Sequence, residues 1–120
     1  MLSDKTRGEA GAIKRISLVR LRSDVPRATC LERWGGEHAE IVRALPGVLE
    51  YTVDVAAERR APGSWDAVAT LRFADEAALQ RFQEDPLVQE RLLATREEFA
   101  EAVDVFLVDE RVFIPTGGAR

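Results

Sequence analysis

Histidine is nearly missing from this sequence. His38 is the single one in 120 residues, beside a single cysteine, Cys30, and a single tyrosine, Tyr51. One His and one Cys cannot build a His-rich or Cys-rich metal centre within the chain. A Ser-His-Asp triad would have to use His38. Proton transfer near neutral pH therefore rests on His38, or on a carboxylate or phenol with a shifted pKa. A lone cysteine makes no intrachain disulfide, which fits a reducing compartment, so the expected location is cytoplasmic. There is no excess of positive charge: 17 Lys and Arg against 21 Asp and Glu give a net charge of −4, which argues against a broad nucleic-acid footprint. No apolar run approaches the ~18 residues of a membrane span. The polar start, Met1 to Gly11, has no signal-peptide core. Neither nucleic acid nor membrane is expected as a partner. Phosphate loops, dinucleotide fingerprints and zinc signatures are missing too, and no cofactor is expected.

What is present fits one domain. The apolar fraction is 46% and the charged fraction 32%, ordinary for a globular chain, and this length supports one core. Residues 1–11 read as an N-terminal tail, 12–114 as the domain and 115–120 as a C-terminal tail, with no internal repeat. Ala12 to Arg22 is β-rich and apolar on both faces. Ser23 or Asp24 then caps a helix, with Pro26 near its first turn. From Arg27 to Leu45, Cys30, Trp34, His38, Ile41 or Val42 and Leu45 recur at helical spacing and form one apolar stripe. Gly35-Gly36 interrupts it. Each glycine costs about 1 kcal/mol against alanine in a helix interior, so a break, a kink or a close approach is expected there. Pro46-Gly47 ends the helix.

Two strands follow. Val48 to Ala57 alternates with Leu49, Tyr51, Val53 and Val55 on one face. Trp65 to Ala74 alternates with Trp65, Ala67, Ala69, Leu71 and Phe73 on one face. Between them Glu58 to Ser64 is a charged loop. Asp75 caps a helix carrying Ala78, Leu79 and Phe82. Asp85-Pro86 restarts one carrying Leu87, Val88, Leu92 and Leu93, with Phe99 near its end. Val103 to Ile114 reads as a long closing strand. The order β-α-β-β-α-β is the ferredoxin-like arrangement, an α+β fold with one four-stranded antiparallel sheet and helices on one face. Apolar residues such as Ile16 and Phe106 would leave the other face in need of cover. The economical cover is a second copy, so a homodimer with packed sheets is expected.

The run from Cys30 to Tyr51 resembles the EthD family. It shows that family's aromatic-then-His helix as Trp34 and His38, its Leu-Pro-Gly as Leu45-Pro46-Gly47, and its strand tyrosine as Tyr51. Asp66 to Phe73 matches the start of the third strand, and the resemblance spans about Ile13 to Ile114. Two departures stand out: Cys30 and Leu31 where the family carries a bulky aromatic, and Gly35-Gly36 where it carries charged residues. The resemblance implies a dimeric α+β barrel with a pocket between sheet and helices in each subunit. Its superfamily includes muconolactone isomerases, polyketide cyclases, cofactor-independent monooxygenases and haem-degrading enzymes, so fold alone selects no reaction.

On this reading His38 is the general acid–base of an apolar pocket. Tyr51 donates to a carbonyl or stabilises an enolate. Trp34 is an aromatic wall, Asp66 orients the imidazole, and Phe73 contributes to substrate binding. The expected ligand is a small hydrophobic or aromatic molecule. Each role has a structural alternative: a hydrogen-bonded core histidine, a core aromatic, or a strand-start carboxylate. Cys30 lies two turns from His38, about 12 Å along a helix, and reads as core. Arg20, Thr52, Asp54, Thr70 and Arg72 fit cross-strand ion pairs or a rim. Glu58-Arg59-Arg60 and Arg96-Glu97-Glu98 fit solvated faces. Three functions remain open: a cyclase, dehydratase or isomerase acting by proton transfer; a cofactor-independent or haem-linked monooxygenase; or a dimeric ligand-binding accessory protein.

Overall fold

The computed structural model describes residues 12–58 and 60–117. Strand β1 is Ile13–Leu21, followed by helix α1, Arg27–Arg33. Trp34–His38 forms a wide, π-type turn that leads into α2, Ala39–Arg43. Then come β2 (Val48–Val55), β3 (Ala67–Phe73), α3 (Glu76–Glu84), α4 (Pro86–Arg96) and β4 (Ala100–Val108). The sheet order is β2-β3-β1-β4, and all neighbours are antiparallel. This is the ferredoxin-like fold expected from the element order.

The expected helix break occurs at the glycine pair. Gly36 leaves helical geometry at φ −87°, ψ −120°. A Cβ added at either glycine would meet nothing within 4 Å, so close packing does not explain the pair. The break falls where helical propensity is weakest. Gly47 is different. It sits at φ +87°, and a Cβ there would lie 2.6 Å from the Ala78 side chain, so it allows the α2–β2 turn to press against α3.

Several boundaries differ from expectation. Neither Ser23 nor Asp24 caps α1. Its N-cap is Pro26, with no side-chain cap bond, and Asp24 instead pairs with Arg22 at 2.7 Å. In β2 the register shifts between Val48 and Glu50, which pushes Leu49 out to 54% exposure. Val48, rather than Leu49, then packs against the core. Trp65 precedes β3 and lies under the Arg20 guanidinium. β4 begins at Ala100 and ends at Val108, so it starts and stops earlier than the expected strand. Phe99, expected near a helix end, is fully buried in the turn before β4. Asp75 and Asp85 cap α3 and α4 as expected, each accepting from backbone N–H groups. The proposed tail at 1–11 lies outside the described residues, as do 118–120.

The register defines two faces. Ile13, Arg15, Ser17, Val19 and Leu21 of β1 share the helix-facing side with Ala67, Ala69, Leu71 and Phe73 of β3. The core on this side has two parts. One gathers Ile13, Ile41, Val42, Leu71, Phe73, Leu79, Phe82 and Leu92; the other gathers Val19, Leu21, Cys30, Trp34, Ala67, Ala69 and Phe99. Tyr51 packs against both. The opposite sheet face carries Ile16, Leu18, Val68 and Phe106, with Phe106 at 45% exposure. Lys14, Arg72, Glu50 and Glu110 form ion pairs at its edge. Arg72 pairs with Glu50 directly across β2 and β3, while Arg20 pairs with Glu101.

Candidate functional site

A cavity of about 310 Å3 lies where the two parts of the core meet. The sheet supplies its floor. Ser17 and Ala69 are directly paired across β1 and β3, and their small side chains leave a depression. Arg15 and Tyr51 flank it, each paired with Leu71. Trp34 and His38 come over it from the two ends of the π-type turn, and Val42 from α2. Leu92, Leu93 and Arg96 come from α4. The volume is at the lower end of the range for small-molecule pockets.

Three residues picked out by the sequence meet at this cavity. The Trp34 indole N–H donates to the Tyr51 hydroxyl at 2.7 Å. The Trp34 ring stacks on Phe99, with centroids 4.7 Å apart and planes at 15°. The His38 ring meets the same Phe99 edge-on at 5.1 Å. One buried phenylalanine therefore fixes both the indole and the imidazole. His38 Nδ1 is 2.8 Å from the Thr95 hydroxyl. Thr95 donates its one proton back to the Arg91 or Leu92 carbonyl, at 2.9 and 3.2 Å. With that proton on a backbone carbonyl, the Thr95 oxygen is an acceptor for a proton on His38 Nδ1, the tautomer that carries its lone pair on Nε2.

The electrostatics keep both groups uncharged at neutral pH. Burial, followed by the nearby Arg96 charge, lowers the His38 pKa to about 4, against a smaller opposing effect of the Leu92 carbonyl. Burial pushes the Tyr51 phenol up, opposed by the indole hydrogen bond and by the Arg15 charge. A neutral imidazole that can accept a proton thus shares one wall system with a neutral phenol that can donate a hydrogen bond.

Asp66 and Phe73 are elsewhere. The Asp66 carboxylate accepts from the Leu21 backbone N–H at 2.8 Å. Thr95, not Asp66, is the partner of His38. The Asp66 side is a second, polar hollow between the end of β1 and the β2–β3 loop, with Arg20, Arg22 and Arg60 around it. Phe73 is 0% exposed, packs on Phe82 at 5.1 Å and does not line the cavity. Cys30 is fully buried in the other part of the core, as expected for a core residue, and burial raises its thiol pKa. Among the described residues no group of three or more His, Cys, Asp or Glu could hold a metal, and no helix is long and apolar enough to cross a membrane.

Sequence reasoning missed Arg15, Thr95 and Arg96. The first had a signal: Arg15 and Ser17 are polar in the middle of an inward row otherwise made of Ile13, Val19 and Leu21. Arg96 was expected on a solvated face and instead lines the cavity.

A ferredoxin-like α+β chain with a mostly apolar cavity between sheet and helices, walled by one His, one Tyr and one Trp, is what fold and site together define. The EthD domain model matches residues 22–102, and the chain belongs to that family. None of the curated proteins matches it in sequence. An EthD family protein of Bacillus halodurans C-125 superposes with a TM-score of 0.66 at 16% identity, covering 82% of this chain and 98% of that one. SnoaB, a cofactor-independent oxygenase from Streptomyces nogalater, gives 0.64 at 16% identity, covering 88% and 99%. A dimeric ferredoxin-like protein of unknown function from Bacteroides fragilis gives 0.57 at 21%, covering 82% and 96%.

Proposed function

We propose that this chain is a small-molecule enzyme of the cyclase, dehydratase or isomerase type, acting without a cofactor by proton transfer on an aromatic or polyketide-like carbonyl compound. The observation that carries this reading is the shared cavity of a neutral His38 and a neutral Tyr51, each held from behind, by Thr95 and Trp34 respectively. His38 Nε2 removes a proton from the carbon next to the carbonyl. The Tyr51 hydroxyl donates to the oxygen as negative charge develops there. His38 then returns the proton to a new position or to the leaving oxygen. Because protonated His38 is strongly acidic in this environment, the return step is favoured. Trp34, locked by Phe99, holds the plane of the ligand.

Proton exchange at the methyl group of 2-acetonaphthone in D2O, followed by NMR, tests the chemistry without the natural substrate. The wild-type protein should accelerate exchange, His38→Gln should lose about 10²–10⁴-fold of it, and Tyr51→Phe should lose less. No acceleration by the wild type, or full exchange by His38→Gln, would sink the proposal.

The likeness to SnoaB favours one second reading, cofactor-independent oxygenation of an electron-rich phenol that His38 deprotonates. Oxygen uptake with such a phenol supports it, and its absence removes it. In either case the working unit is a homodimer packed through the Ile16, Leu18, Val68 and Phe106 face. The dimeric Bacteroides fragilis relative supports this. Sizing at micromolar concentration should give twice the subunit mass; a stable monomer would contradict the dimer.

A further inference from the structure

Two cations face the cavity with no anion to meet them. Arg15 rises from the floor in the middle of β1, partly buried, its guanidinium 5.2 Å from the centre of the Phe82 ring. Arg96 comes down from the last turn of α4. Among the described residues neither forms an ion pair or a side-chain hydrogen bond, although Lys14, Arg20, Arg22 and Arg72 all do. The two guanidiniums are close enough that the charge on Arg96 works against the charge on Arg15, after burial itself. Glu90 is the one carboxylate among the lining residues, and it is exposed at the mouth. Tyr51 is the neutral group between floor and roof.

Burying two like charges side by side is costly unless something of opposite sign joins them. Nothing in the packing of the cavity requires an arginine at position 15, since Ile13 and Val19 serve the same inward row with apolar side chains. A planar, fork-shaped donor at the floor of an apolar cavity is suited to a carboxylate.

We propose that the ligand of this cavity is an organic anion, an aromatic or polyketide-like molecule whose carboxylate is held between Arg15 and Arg96 while its ring system lies against Trp34. This rests on the preceding reading for the place where the ligand sits, not for the reaction performed on it. The anion has a second effect. It offsets the Arg96 charge, one of the two causes that keep His38 unprotonated, so the bound acid makes His38 a stronger base. The charged groups that face His38 across the cavity are Arg96, Arg15 and, at the mouth, Glu90, so binding adds the missing negative charge inside.

The test compares 2-naphthoate with 2-naphthamide, two probes of the same shape that differ in charge. Binding is read by tryptophan fluorescence, since Trp34 lines the cavity. The wild type should bind the acid about 10- to 100-fold more tightly than the amide, the size of a charge-assisted contact. Arg15→Gln and Arg96→Gln should each bring the two affinities to within about 3-fold by weakening acid binding far more than amide binding, an outcome that misfolding would not produce. The lone histidine gives a second readout: naphthoate should raise the His38 titration midpoint by NMR in untagged protein, and naphthamide should not. Equal affinity for acid and amide, a preference that survives in both variants, or binding of neither probe overturns the proposal. His38→Gln should keep the preference. A protein that prefers the acid yet fails to exchange 2-acetonaphthone protons keeps this inference and loses the proton-transfer reading; exchange without the preference does the reverse.

Discussion

Phe73→Ala should lower the unfolding free energy by about 3–5 kcal/mol, the usual cost of truncating a fully buried phenylalanine. The ring is 0% exposed at the end of central strand β3, between Ile13 and Val48 of the neighbouring strands. It packs against Phe82 and within the same part of the core as Ala78 and Leu79. Against a typical domain stability of about 5–15 kcal/mol, this loss would leave the variant close to unfolding. Urea titration at fixed protein concentration measures it. Since Phe73 does not line the cavity, naphthoate affinity of the folded fraction should stay as in the wild type. A loss under about 1 kcal/mol accompanied by lost ligand binding would instead put Phe73 in the site.

The second large effect is a pH dependence of stability carried by His38. Its pKa is about 4 in the folded chain, against 6.5 for an unperturbed imidazole. Above about pH 6.5 the ring is neutral in both states and contributes no slope. Between about 6.5 and 4 the unfolded chain binds a proton that the folded chain refuses, so stability falls as pH is lowered through this window. Below about 4 both states are protonated and the dependence levels off. The full difference amounts to about 3 kcal/mol for this partly buried ring. Carboxylates contribute their own acid sensitivity, so the informative quantity is the difference between the wild type and His38→Gln. That difference should change by about 3 kcal/mol between pH 7 and pH 4, with the wild type losing more. Parallel curves for the two proteins would show that the imidazole is not held neutral by its surroundings.

Much of the fold was legible because its signals are local. Asp75 and Asp85 announce their helices through backbone N–H groups two or three residues away. Gly35-Gly36 announces a break through propensity alone. The stripe of Trp34 and His38 was also local, and it led to the cavity. What stayed hidden depends on partners distant in sequence. Leu49 alternates correctly on paper, but one extra residue in the pairing of β2 with β3 turns it outward. Thr95 is 57 residues from His38, and nothing near it in the sequence marks it as the partner of an imidazole. Arg96 sits in a charged run whose neighbours Glu97 and Glu98 are exposed, and a run of charges does not disclose that one of its members turns inward. The length of β4 was overread because Val112, Phe113 and Ile114 are apolar, although they lie beyond the strand and are exposed.

The two-part core has a thermodynamic consequence. The helix broken at Gly36 contributes Trp34 to one part and Ile41 and Val42 to the other, and a hollow separates them above the sheet. A ligand that fills this hollow touches both, so it completes the interior as well as occupying a site. Its binding free energy then counts toward the cohesion of the whole subunit: ligand at 100 times its dissociation constant adds about 2.7 kcal/mol. If the proposed ligand binds there in the cell, the steady-state abundance of the protein would follow its supply, because the unliganded form is the one more open to proteolysis.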